Sequence, residues 1–410
     1  MNRSRRRLLA AACGAAALGG CSFTLEHGLF NPCLQSLPTD PASEDVIRTA
    51  WDGIDAAQVW DCHAHLVGEG DSGSAIWLNP ASRSPAWPRL YAQRVFYLNA
   101  ACAQGGEGTI DDALVERMKR LLDGMRPGAK VILLALDWHH AEDGEPLQQA
   151  SAFSVPDEYA MAVARRHPRH FEWAASIHPY RRDCLTALRA ARTNGARAIK
   201  WLPPIMGIDP GSPRCDAFYA ELARLDLPLI THGGGEGAAG FGDRQHLGNP
   251  LRLRRALEHG VRIVVAHCAT LGEDRDLDQG EHGPYVESFA LFARLMDDPR
   301  YGARLHGDLS AVAQVNRARN GLARLLQREE WHARLFNGSD YPLPGVVPLH
   351  SMSQLVQLGL LEPALAPALA RIRDYNPLLF DFVLKRHLRS GTARFAKRVF
   401  ETRRFFQPSA

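Results

Sequence analysis

The chain has 410 residues, 46% hydrophobic and 23% charged, with a formal net charge of +3. That is enough apolar material for one large core, and so weak a charge gives no global argument for nucleic-acid binding. The 8 cysteines form no C-x-x-C pair and no dense disulfide framework, which excludes a zinc ribbon and a small disulfide scaffold.

At the start, Ser4-Arg5-Arg6-Arg7 precedes an uncharged run from Leu8 to Gly20 that closes in Leu18-Gly19-Gly20-Cys21. Such a run has the length of a signal-peptide core and is too short to span a bilayer. The arginines resemble a twin-arginine export signal, and L-G-G-C resembles a bacterial lipobox with Cys21 as the lipidated residue. This resemblance implies a lipoprotein facing the periplasm, with Ser22 pointing to the outer membrane; a basic leader on a cytoplasmic protein is the alternative. Loss of residues 1–20 removes four arginines and no acid, which turns +3 into −1. Residues 22–43, with Pro32, Pro38 and Pro41, are expected to tether this leader to a domain over 44–385, starting at an N-cap at Ser43.

Trp60-Asp61-Cys62-His63-Ala64-His65 follows as the end of a first strand over 57–63. Side chains two apart on a strand share a face, so His63 and His65 converge about 7 Å apart along it, half of a metal site. Further strand-like runs are expected at 130–137, 171–177, 196–202, 227–232, 261–267, 304–309 and 334–339. Helical stretches lie between most of them: Asp157 to Arg166, Cys184 to Thr193, Asp216 to Leu225, Pro250 to His259 and Gly321 to Arg328. Eight strands alternating with helices predict an α/β fold of the (β/α)8, TIM-barrel type, with chemistry at the C-terminal strand ends. No G-x-G-x-x-G follows the first strand, which argues against a dinucleotide fold.

Four of these runs end in polar residues: Lys200, His232, His267 and Asp340, the last within Gly338-Ser339-Asp340-Tyr341-Pro342. In this order, with His63 and His65, they resemble the amidohydrolase superfamily, specifically its amidohydrolase-related branch, over roughly residues 45–385. The resemblance implies a divalent metal, usually zinc, held by His63, His65, His232 and Asp340. It places His267 beside the water to be activated and gives Asp340 and His267 the catalytic roles. Lys200 is either carboxylated, bridging two metals, or an uncarboxylated partner of a single ion; one ion is expected. The implied activity is hydrolysis of an amide, ester, lactone or similar bond in a small organic substrate. A non-oxidative decarboxylase of the same branch, or a surface lipoprotein that keeps the barrel without turnover, are the alternatives.

The stretch 66–129 is far longer than a usual connection after a barrel strand. Its Trp77, Trp87, Tyr91, Phe96 and Tyr97, with Arg83, Arg89 and Arg94, suit either a lid meeting an anionic substrate or an amphipathic helix from Leu90 to Asn99. His139, His140, His178 and Tyr180 are candidate pocket residues. Cys62 and Cys268, one residue from His63 and His267, are expected to pack behind the metal face. The tail 386–410 is expected to hold a basic amphipathic helix over 386–404. A small molecule is the expected partner, with no nucleic acid and no membrane contact beyond the lipid anchor.

Overall fold

The computed structural model describes residues 27–103, 108–237 and 244–407; the leader residues Arg5, Arg6 and Cys21 lie outside them. Eight short parallel strands follow one another: β1 (Trp60–His65), β2 (Lys130–Leu134), β3 (Phe171–Ala174), β4 (Ile199–Trp201), β5 (Leu229–His232), β6 (Ile263–Ala266), β7 (Leu305–Asp308) and β8 (Leu335–Phe336). β1, β2 and β3 pair in order, as do β4 through β8. Two parallel bridges, Ala175 to Ile199 and Ala64 to Tyr341, join the two runs. Lys200 N donates to Ala175 O at 2.7 Å and His65 N to Tyr341 O at 2.9 Å across these seams. The ring is therefore closed, as a barrel without free strand edges requires.

Runs such as Val131-Ile132-Leu133 and Ile263-Val264-Val265 make strands because branched side chains fit a pleated surface buried on both faces. The interior is filled by Trp60, Cys62, Ile132, Leu134, Ala174, Ala198, Ile230, Val264 and Phe336, with Phe406 of the tail among them. The register of β1 against β2 shifts between Asp61 and Ala64, and such a bulge turns neighbouring residues to one side. Trp60 and Cys62 thus line the interior below while His63 and His65 meet above it. The expectation that Cys62 packs behind the metal face is corrected by this bulge.

Helices Asp157–Arg166, Cys184–Thr193 and Asp216–Leu225 have the expected bounds, and Ala318–Gln327 begins slightly earlier than expected. The run 250–259 is split into a 3-10 turn, Pro250–Leu253, and a short helix, Arg254–Glu258. The excursion after β1 contains helix Pro88–Ala100 and the crossover helix Ile110–Asp123. Residues read as the end of a tether are pinned to it: Cys33 is disulfide-bonded to Cys102. Asn31 N donates to Asn99 Oδ1 at 2.9 Å, and Phe30 stacks on Phe96 with ring centroids 5.3 Å apart.

The tail is not one helix. Helix Pro377–His387 ends, and a wrap of turns leads to the short helix Arg403–Phe406. The Ser390-Gly391 turn, with Gly391 at φ 61°, breaks the helical period, yet Phe395, Val399 and Phe400 are still buried.

Three buried histidines outside the set of metal candidates make stability depend on acid. Burial pushes the imidazoles of His178 and His350 down to about 3 and that of His306 to about 4. The unfolded chain, with ordinary values near 6.5, binds more protons between those limits. Their contribution to stability is then full above pH ~6.5 and falls as pH drops toward 4, by up to ~1.4 kcal/mol per pH unit for each histidine. The fall in urea midpoint from pH 7.5 to pH 5 should accordingly be smaller in His350→Phe than in wild type, and an unchanged difference between the two pH values would contradict this reading.

Candidate metal centre

Five of the eight barrel strands deliver a polar ending to one mouth. His63 and His65 come from β1, Lys200 from β4, His232 from β5, His267 from the turn after β6 and Asp340 from the turn after β8. All but His65 are buried. His267 and Asp340 have φ of 57° and 62°, a left-handed backbone uncommon outside glycine and held only by firm surroundings. Asp308 Oδ1 accepts from His267 N at 3.0 Å, and Asp340 N donates to His63 O at 2.7 Å. Gly338 is obligatory beside them, because a Cβ there would sit 2.8 Å from that of His63.

The donor atoms converge. His63 Nε2 lies 3.3 Å from His65 Nε2 and 3.6 Å from Asp340 Oδ1, which is 3.2 Å from His65 Nε2. Donors ~2.1 Å from one tetrahedral ion are ~3.4 Å apart, so these spacings suit a divalent metal. Among the described residues, donor atoms of His63, His267 and Asp340 also all lie within 4.8 Å of one another. His267 therefore belongs to the tight group that sequence reasoning had it stand beside.

His232 flanks that group. Its Nδ1 lies 3.2 Å from Glu236 Oε2, its Nε2 3.2 Å from Gly235 O, and its ring centroid 5.2 Å from that of His267. Both neighbours are acceptors and a neutral imidazole carries one hydrogen, so one nitrogen keeps a lone pair. Lys200 Nζ donates to His63 Nε2 at 3.0 Å, on the metal side of that ring.

The partners of the rings fix their tautomers. His63 Nδ1–H donates to Asp308 Oδ2 at 2.9 Å, and His267 Nδ1–H is shared between Ser310 Oγ at 2.8 Å and Ser310 O at 3.0 Å. Ser310 Oγ in turn donates to Asp308 Oδ1. The Nε2 lone pair of each ring is left facing the centre, the orientation a carboxylate behind a ligating histidine provides.

Burial, with the Lys200 ammonium next, pushes His63 down to about 4. Burial and the Arg317 charge push His267 well below its usual range. Burial alone would raise Asp340, but the imidazoles of His267, His65 and His63 outweigh it and hold the carboxyl well below the usual range. Burial lowers the Lys200 ammonium against the opposing pull of Asp308 and Asp340. At neutral pH His63 and His267 are thus neutral and Asp340 is ionised, the state metal binding requires.

Other sequence candidates take structural duties. His139 Nδ1 contacts Ile205 O, His140 Nδ1 Gly144 O, and His178 Nε2 Met206 O, while Tyr180 N donates to His178 Nδ1. Arg83 and Arg94 pair with Glu69, and Arg89 donates to Gly237 O. Sequence reasoning missed Asp308, Ser310, Glu236 and the position of Tyr97. Arg89 and Gln93 of the helix that carries Tyr97 both donate to Gly237 O, so the insertion helix borders the loop after β5, and burial with the charges of Glu236 and Asp340 raises the Tyr97 hydroxyl.

A family model described as amidohydrolase matches residues 60–377, well over half of the sequence. The chain belongs to the amidohydrolase family. The match runs from the first residue of β1 past Asp340 and so spans every metal candidate of this amidohydrolase barrel, in a family whose members are generally enzymes. No curated protein matches it significantly. Among solved structures, it is similar to an uncharacterised TIM-barrel protein of Bordetella bronchiseptica at 16% identity, covering 77% of this chain and 94% of that one, with a TM-score of 0.44. A protein assigned as a 2-pyrone-4,6-dicarboxylic acid hydrolase from Pseudomonas putida is 16% identical, covering 79% and 97%, TM-score 0.41. A 5-carboxyvanillate decarboxylase of Novosphingobium aromaticivorans, solved with manganese, is 14% identical, covering 86% and 99%, TM-score 0.43.

Proposed function

We propose that this amidohydrolase is a divalent-metal-dependent hydrolase of a C–N, C–O or lactone-type bond in a small organic molecule, with zinc as its ion. The carrying observation is the attitude of Asp340. Its Oδ1 stands 3.2 Å from His65 Nε2 and 3.6 Å from His63 Nε2, while Oδ2 faces His267 Nε2 at 3.9 Å. One oxygen belongs to the ligand side and the other to the proton-handling side.

His63, His65 and Asp340 would hold the ion, and His232, its ring centroid 5.2 Å from that of His267, would complete the set. Once bound, a divalent ion supplies Lewis acidity and brings the pKa of a coordinated water from ~16 toward ~7. Asp340 Oδ2 accepts a proton from the attacking water and returns it to the leaving group. His267, with its hydrogen fixed on Nδ1 by Ser310, presents Nε2 as an acceptor and so orients or relays that proton. Lys200 stays uncarboxylated and places its positive charge beside His63.

The test is the purified protein loaded with zinc or manganese and screened against esters, lactones, amides and carboxylic acids. Metal-dependent hydrolysis that disappears on chelation supports the reading. Release of CO2 from an acid without hydrolysis of any other class replaces it with the lyase that shares these ligands. Metal analysis should give one ion per chain in wild type and in Lys200→Gln; two falling to one would show a bridged pair instead.

For cellular placement we propose a lipid anchor at Cys21 after twin-arginine export. The Cys33–Cys102 disulfide supports it, since such bonds persist in oxidising compartments. Among the described residues no helix is long and apolar enough to cross a membrane, so attachment falls to the acyl chains. Cys21→Ala should move active enzyme from the membrane to the soluble fraction; unchanged fractionation would refute the anchor.

A further inference from the structure

Arg317 lies in the loop between β7 and helix Ala318–Gln327, at the mouth where the metal candidates meet. Only 5% of its surface is exposed, yet Nε and Nη1 of its guanidinium are buried without a hydrogen-bond partner. Gln314, on the same loop and 4% exposed, leaves its Nε2 donor equally unpartnered. A buried donor left unpaired costs ~1–3 kcal/mol, and more when it is charged. Two such residues side by side in one loop are therefore a binding feature whose partner is an acceptor.

The acceptors nearby are already engaged. Glu236, Asp340 and Asp308 attract the Arg317 charge through space. Among the described residues, however, Glu236 is paired with His232, Asp308 with His63 and Ser310, and Asp340 Oδ1 with His65 and His63, and none of these carboxylates bonds the guanidinium. The loop that carries Arg317 leaves the C-terminal end of β7, whose last residue, Asp308, backs His63, so Arg317 stands at the same mouth.

We propose that Arg317 is the anion anchor of this active site, receiving a carboxylate of the substrate on its guanidinium fork with Gln314 as an added donor. The substrate is then a small organic acid, or an ester, lactone or amide that carries a free carboxylate. A planar fork matches a planar carboxylate two hydrogen bonds at a time, which an ammonium cannot do. In a water-poor site this pairing sets both affinity and the direction in which the reactive bond faces Asp340. The inference rests on the hydrolase reading for the location of that bond, but anion binding is measurable without turnover.

Full-length protein, metal-loaded and metal-stripped, is titrated calorimetrically with benzoate, benzamide and inorganic phosphate, as wild type, Arg317→Lys and Arg317→Gln. Wild type should bind benzoate in both metal states and benzamide at least ~10-fold more weakly, with Arg317→Gln losing ~30-fold of benzoate affinity and none for benzamide. Arg317→Lys should lie between, since charge remains and the fork is gone. If the Gln variant does not fold, the Lys variant decides: a loss of ~5-fold or more supports the anchor, and unchanged affinity overturns it. No benzoate binding by wild type at 10 mM-scale concentrations, equal affinity in wild type and Arg317→Gln, or phosphate bound better than benzoate would each overturn the proposal. Failure to find a hydrolysed substrate would strike the hydrolase reading and leave these titrations standing.

Discussion

His63→Ala should give a folded protein that retains no stoichiometric divalent ion and shows no turnover of any substrate the screen finds. His63 Nε2 meets three members of the centre, 3.3 Å from His65 Nε2, 3.6 Å from Asp340 Oδ1 and 3.0 Å from Lys200 Nζ, so its loss opens the ligand set at its middle. Asp308→Asn probes the same ring from behind. The His63 Nδ1–Asp308 contact of 2.9 Å holds the tautomer, and loss of such a partner costs ~10–100-fold in metal affinity. His267→Ala should differ in kind: metal retained, kcat down by ~10²–10³, as for a positioned proton-transfer group. Metal analysis of the three variants separates these roles. Stoichiometric metal in His63→Ala would defeat the assignment, and metal loss in His267→Ala would make His267 a ligand, as its place in the tight group allows.

The barrel was legible because short strand runs repeat eight times with helical stretches between most of them, and a repeated pattern survives local error. The residues that meet at the mouth were legible for the same reason, since each closes a short apolar run. What escaped is what direction, not order, decides. Asp308 ends β7 as plainly as His232 ends β5, but its meaning comes from facing His63 Nδ1, and no spacing encodes that. The bulge in β1 moved Cys62 inward because a register shift depends on the partner strand. Cys33 and Cys102 are 69 residues apart, a pairing invisible without the fold that brings residue 31 against residue 99. Arg317 looked like one arginine among many; only burial without a partner marks it.

Lys385 should prove the most costly single loss to stability, and it connects stability to the site. Its Nζ donates to Asp381 Oδ2 and to Gly338 O, both at 2.6 Å, and both side chains are buried. Gly338 O is two residues from Asp340, and Asp61 beside it accepts from His63 N at 3.0 Å and Ser339 N at 2.8 Å. Lys385→Met leaves Asp381 buried and unpaired, which costs ~3–5 kcal/mol. Burial already pushes the Asp381 carboxyl up to about 7 against the pull of Lys385; without the lysine it rises further. A carboxyl whose folded value exceeds its unfolded value near 4 loses stability as pH climbs between the two, so the deficit in Lys385→Met should be larger at pH 8 than at pH 5.5. Adding Asp381→Leu removes the stranded charge and should restore most of the urea midpoint. It cannot restore the donor to Gly338 O, so the double variant should fold well and still turn over slowly, with kcat reduced and metal content kept. A double variant with full kcat would confine the Lys385–Asp381 pair to stability and deny it any part in positioning Asp340.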